Sequence, residues 1–170
     1  MNLNPPPPYA SIEELTKWCN DLYEHIQFPI IRSCFTATGT QANMVAGTTY
    51  YPFTTESFDI GGDYDASGAQ YVCPVDGIYF FILKARLQNI DSGATSYDIG
   101  IKVNSTTYLG EYDVSKFSAD VVEWTITMTT GFIKCSKADV VRGLLLQTGG
   151  ANQADIEATS LFSGFLLQRS

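Results

Sequence analysis

Basic charge is scarce in this chain of 170 residues, and no run of lysine or arginine occurs. Ten Lys and Arg stand against 18 Asp and Glu, giving a net charge of −8. A phosphate backbone or an anionic lipid surface requires a cationic patch. Nucleic acid and acidic membranes are therefore not expected as partners. No apolar run reaches the length of a bilayer span. Histidine occurs once, as His25. It falls near the end of a predicted helix, where capping of the last carbonyls is its expected role, and nothing is spaced around it for a catalytic relay. No GxSxG, HExxH or phosphate-cradling glycine loop is present. The expectation is no enzyme and no cofactor.

Cysteine is also sparse: Cys19, Cys34, Cys73 and Cys135, none in a CxxC pair. A structural zinc site has no ligand set here. An even count permits two disulfides. The first residues carry neither the basic nor the apolar segment of a secretory leader. Free thiols of a cytosolically made protein are thus expected. Asp59, Asp63 and Asp65 lie close together in one loop, and Asp91 and Asp98 flank another. EF-hand spacing is absent, and solvated loop carboxylates explain them better than calcium. No metal site is expected.

What the chain does have is apolar bulk. Hydrophobic residues make up 45%, including 10 Phe, 10 Tyr and 2 Trp, whereas charged residues make up only 16%. Such a chain builds a core without staples. Its low charge predicts surface withdrawn from water at subunit contacts.

Three segments follow one another. Residues 1–10 contain Pro5, Pro6, Pro7, Pro8 and Tyr9. Four consecutive prolines predict an extended arm, roughly 12 Å long. It serves either as an unanchored terminus or as a tether inserted into a partner. Residues 11–29 read as a helix, opened by the capping box Ser11-Ile12-Glu13-Glu14 and closed at Phe28-Pro29. Ile12, Leu15, Trp18, Cys19, Leu22 and Ile26 form one apolar stripe. The stripe fits an amphipathic helix lying on a larger body, and also two heptads of a coiled coil.

From residue 34 to 170 the period changes to two. Tyr97, Ile99, Ile101 and Val103 alternate with polar residues, as do Val122, Trp124, Ile126 and Met128. Eight to ten strands and no second helix predict an all-β sandwich or barrel. Three stretches are apolar at successive positions: Ile78 to Leu83, Leu144 to Leu146, and Leu161 to Leu167. An antiparallel strand normally shows water one polar face. Burial of Phe80, Ile82, Phe162 and Leu166 is worth about 1.5–3 kcal/mol each. The simplest cover for a second apolar face is another copy of the chain; loops folded over that face are the alternative. Tyr50, Tyr51, Tyr108 and Tyr112 read either as ordinary strand packing or as aromatic recognition groups.

One spacing is more specific. Phe53, Asp59, Tyr64, Tyr71, Gly77, Tyr79, Phe81 and Leu83 stand at the intervals of the C1q-domain signature. Tyr71 replaces a phenylalanine and Leu83 an aromatic. Phe162-Ser163-Gly164-Phe165-Leu166-Leu167 resembles the family's closing strand, whereas its late Gly-Asp is here Ala138-Asp139. The chain from about residue 34 on thus resembles a C1q/TNF-like jelly roll. The resemblance implies a ten-strand sandwich that packs as a homotrimer, with Gly77 in a tight turn. Tyr79, Phe80, Phe81, Ile82, Phe162, Phe165 and Leu166 are then the expected trimer interface, with Tyr79 and Phe81 either in the core or along the threefold axis. A short Pro arm and helix before the head, with no collagen stalk, are similar to phage structural proteins. The implied role is a virion protein, a capsid decoration, cement or head-fibre knob. It would be anchored to the major capsid protein or another virion component through Pro5–Pro8, Tyr9, Ile12, Leu15, Trp18, Leu22 and Ile26. The alternatives are a tail-fibre or baseplate tip recognising a host-surface glycan, and a secreted ligand or lectin.

Overall fold

The computed structural model describes residues 11–14, 16–18, 33–114, 117–151 and 153–170. The chain divides into two units, Met1–Ile31 and Arg32–Ser170. In the first, residues 12–14 and 16–18 are helical. The expected capping box is in place. The Ser11 amide donates to Glu14 Oε2 at 2.7 Å, and the Glu14 amide donates to Ser11 Oγ at 3.2 Å. These bonds, the Ser11 amide first, hold the Glu14 carboxyl below its ordinary range. His25, Leu15, Leu22, Ile26 and the arm from Pro5 to Tyr9 lie outside the described residues.

The second unit contains twelve strand segments: β1 (Cys34–Thr38), β2 (Thr49–Tyr50), β3 (Thr55–Ile60), β4 (Tyr64–Asp65), β5 (Gln70–Val72), β6 (Gly77–Ile90), β7 (Ala94–Val103), β8 (Thr106–Asp113), β9 (Val121–Cys135), β10 (Val140–Gly149), β11 (Asp155–Ile156) and β12 (Leu161–Arg169). β2, β4 and β11 are two-residue pieces, so the count stays close to the ten strands expected. The first sheet runs β9-β6-β12-β1-β3, with β11 also paired to β6. The second runs β4-β5-β10-β7-β8, with β2 beside β10. Every pair is antiparallel. β12 is central: it lies between β6 and β1, which are far apart in the chain. This is a jelly-roll sandwich.

The resemblance-bearing residues build the core between the sheets. Phe53, Tyr71, Tyr79, Phe81, Leu83 and Phe162 are wholly buried, and Tyr64 is nearly so. Phe35 stacks on Tyr64 and on Tyr71, each at 4.7 Å between ring centres, and meets Phe162 edge-on at 5.0 Å. Buried phenols need acceptors. Tyr64 Oη donates to the Phe53 carbonyl at 2.5 Å, and Tyr79 Oη donates to the Val75 carbonyl at 2.7 Å. Tyr71 Oη shares a 2.5 Å bond with Ser33 Oγ, which also donates to Asp63. Asp59 receives the Tyr64 amide at 2.7 Å. The signature is thus a set of stacked rings with their polar tips and backbone tied down.

Gly77 is not in a turn, contrary to expectation. It opens β6, where an added Cβ would lie 2.6 Å from the Gln168 carbonyl oxygen and 2.6 Å from Leu166 Cδ1. Its role is to let β6 and β12 approach closely. The Gly61-Gly62 turn is as expected, with both residues at positive φ.

Candidate functional site

Period two decides which apolar side chains remain for a partner. Along β6, Tyr79, Phe81 and Leu83 point inward, and Ile78, Phe80 and Ile82 point outward. Along β12, Phe162 enters the core, Leu166 packs against it, and Phe165 turns out. Tyr79, Phe81 and Phe162 are wholly buried within one subunit, so they have no surface to offer a second copy. Tyr79 and Phe81 thus take the core, one of their two expected places, and Phe162 is corrected from the interface to the core. Leu166 also packs inward, leaving Phe80, Ile82 and Phe165 of the seven expected residues on the outer face.

The first sheet brings these together with three residues the sequence did not single out. In the ladder, Phe132 of β9 faces Phe80, Phe80 faces Phe165, Phe165 faces Cys34, and Cys34 faces Ile60. The next outward rung is Thr129, Ile82, Ser163, Thr36 and Phe58. The result is an apolar belt across five strands. Phe132 is 72% exposed, Ile60 52%, Phe58 48% and Phe165 41%. Phe80 bridges the belt, with its ring centre 6.2 Å from that of Phe132 and 5.6 Å from that of Phe165.

A β-bulge aims Phe132. Between Phe80 and Ile82 the register slips, so Thr130 and Gly131 together oppose Phe81. Gly131 has φ +70°, a conformation suited to glycine. Thr130 Oγ1 accepts the Phe81 amide at 3.3 Å. The glycine was the available signal for this bulge, because it interrupts the alternation of β9.

Across the molecule, the outer face of the second sheet carries a different surface. Lys102 of β7 and Arg142 of β10 stand directly opposite. With Gln70, Asn104 and Val140 they line a cleft of about 210 Å³. Arg142 donates to Gln70 Oε1 at 2.6 Å, and its guanidinium lies 5.4 Å from the centre of the Tyr51 ring. Like charges paired across a ladder repel. Among the described residues neither cation has a carboxylate partner; the one ion pair is Arg86 with Glu123 at 2.5 Å.

Tyr112, Tyr50, Asp65 and Asp91 have structural work. Tyr112 packs edge-on against Trp124, and Tyr50 Oη accepts the Val45 amide at 2.9 Å. Asp65 gathers Ser67, Gly68 and Gln70, whose bonds, that of the Ser67 hydroxyl first, hold its carboxyl below the ordinary range. Asp91 closes its loop on the Gly93 amide at 2.7 Å and also on the Ala151 amide. Among the described residues no three Asp, Glu, His or Cys side chains converge as a metal site.

The C1q domain family matches residues 34–167. The chain belongs to the C1q family. Solved structures agree at the level of fold. The globular domain of zebrafish complement 1qA protein superposes with a TM-score of 0.58 at 15% identity, covering 82% of this chain and 99% of that one. Murine APRIL gives 0.56 at 8% identity, covering 80% and 99%. PRD1 vertex protein P5 gives 0.52 at 17% identity, covering 80% and 97%. No curated protein matches in sequence. C1q/TNF-like domains are in general binding or structural modules and typically form homotrimers.

Proposed function

We propose that this protein is a homotrimeric virion structural protein, a capsid decoration, cement or head-fibre knob. The observation that carries the trimer is the apolar belt of the first sheet. Four large side chains about half or more open to water are a costly surface for a monomer, at about 1.5–3 kcal/mol of burial each. A threefold arrangement encloses them around one axis. Phe80, Ile82 and Phe165, with Phe132, Phe58 and Ile60, are the contact residues. The phage assignment is supported by the likeness to a phage vertex protein.

Residues 1–29 are the anchor, joining the head to the major capsid protein or another virion component through Pro5–Pro8, Tyr9, Ile12, Leu15, Trp18, Leu22 and Ile26. Ile12 is 84% exposed, as a docking residue would be. Light scattering on the purified protein is expected to give three times the 18.7 kDa chain mass. A chain lacking residues 1–29 is expected to remain trimeric and no longer to join particles. A truncated head that decorates particles at full occupancy overturns the anchor role.

The Lys102–Arg142 cleft favours a second reading, a tail-fibre or baseplate tip that recognises an acidic host-surface glycan. Two unneutralised cations beside a tyrosine ring suit a sugar carboxylate. A glycan array and a cell-binding assay separate the two, since a pure cement protein binds neither.

A further inference from the structure

We infer that Cys73 and Cys135 form a disulfide that ties the two sheets of the sandwich together once the protein meets an oxidant. The two residues are remote in sequence and belong to opposite layers. Cys73 directly follows β5 of the second sheet; Cys135 is the last residue of β9 in the first. The fold brings their chains together. The Cys73 amide donates to the Asp139 carbonyl at 2.9 Å, and the Ala138 amide donates to the Cys73 carbonyl at 2.8 Å. The turn that follows Cys135 is therefore stitched to Cys73, while Cys135 itself faces Gly77 across the β6–β9 ladder. Both side chains belong to the core cluster, each 1% exposed, and each thiol's titration is shifted first by the other. Cys34, by contrast, sits half-buried in the outer belt.

Geometry assigns the roles: Cys73 lines a surface cleft and Cys135 does not, so Cys73 meets the oxidant first and Cys135 is the resolving thiol. The oxidant is a small disulfide such as oxidised glutathione. Cys73 loses its proton and its thiolate attacks one glutathione sulfur, breaking the glutathione S–S bond and releasing the first glutathione. Cys135 loses its proton and attacks the Cys73 sulfur, releasing the second. Two S–H bonds are replaced by one S–S bond, and the two protons and two electrons leave on two glutathiones. A surface cleft of about 330 Å³, lined in part by Asp63, Cys73, Pro74, Lys137 and Ala138, gives the oxidant a path. The cross-link encloses all of β6, β7, β8 and β9, so it restricts a large part of the unfolded chain.

The test incubates the full-length protein with oxidised glutathione and, separately, with dithiothreitol, then maps peptides by mass spectrometry under non-reducing conditions. A 73–135 cross-linked peptide is expected, with a melting temperature about 5–15 °C above that of the reduced protein. Cys73→Ser is expected to lose the redox-dependent part of that shift; if the variant does not fold, the oxidised-against-reduced comparison on the unaltered protein decides. Glutathione adducts on either thiol without the cross-link overturn the inference. So do two free thiols after oxidation, or a cross-link that leaves the melting temperature unchanged.

Discussion

Ala138 holds a left-handed backbone conformation, φ +70°, in the turn between β9 and β10. That conformation costs a residue with a Cβ about 1–2 kcal/mol. The C1q-like pattern has glycine at this place. Ala138→Gly is expected to raise stability by about 0.5–1 kcal/mol, the relief of strain being partly offset by glycine's unfolded-state freedom. Denaturant unfolding checks it: the midpoint should rise with the slope unchanged. Gly164 is the opposite case. An added Cβ there would overlap the Phe81 ring and crowd Phe35, so the smallness of this residue is what leaves room for both rings beneath β12.

The outer belt spans β9, β6, β12, β1 and β3, and it is where element-level tests belong. Phe132→Asp combined with Phe165→Asp is expected to convert the proposed trimer to a folded monomer, seen as a threefold drop in mass by light scattering with the sheet signal in circular dichroism retained. Leu109→Ser, on β8 of the other sheet and 55% exposed, is expected to leave the mass unchanged. The alternation of β7 and the apolar run of β6 were legible in the sequence, as were the helix cap and the aromatic spacing. Which side of β6 and β12 faced a partner was not, because a stretch that is apolar at successive positions hides its own period. Tyr79, Phe81 and Phe162 were therefore grouped with Phe80 and Phe165, although the pleat sends them to opposite faces. Phe132, Phe58 and Ile60 escaped notice because the belt is assembled across the ladder, from strands distant in the chain, and because the Gly131 bulge resets the register.

At the scale of the whole molecule, the core is a store of un-ionised phenols. Burial pushes Tyr64, Tyr71, Tyr79 and Tyr97 above the ordinary tyrosine value of 10.0. A group raised in the folded state favours folding below its unfolded value, and that contribution is lost as pH rises past it. The head is therefore expected to lose stability progressively above pH 10.0, with phenolate absorbance near 295 nm appearing together with loss of sheet structure rather than before it. The placement of β12 has a consequence for synthesis. The ribosome makes β1 and β6 well before the strand that joins them, so each waits with an unpaired edge until Leu161–Arg169 has emerged. A message broken just short of that segment yields a chain with two open flanks and an uncovered interior, the form most inclined to aggregate.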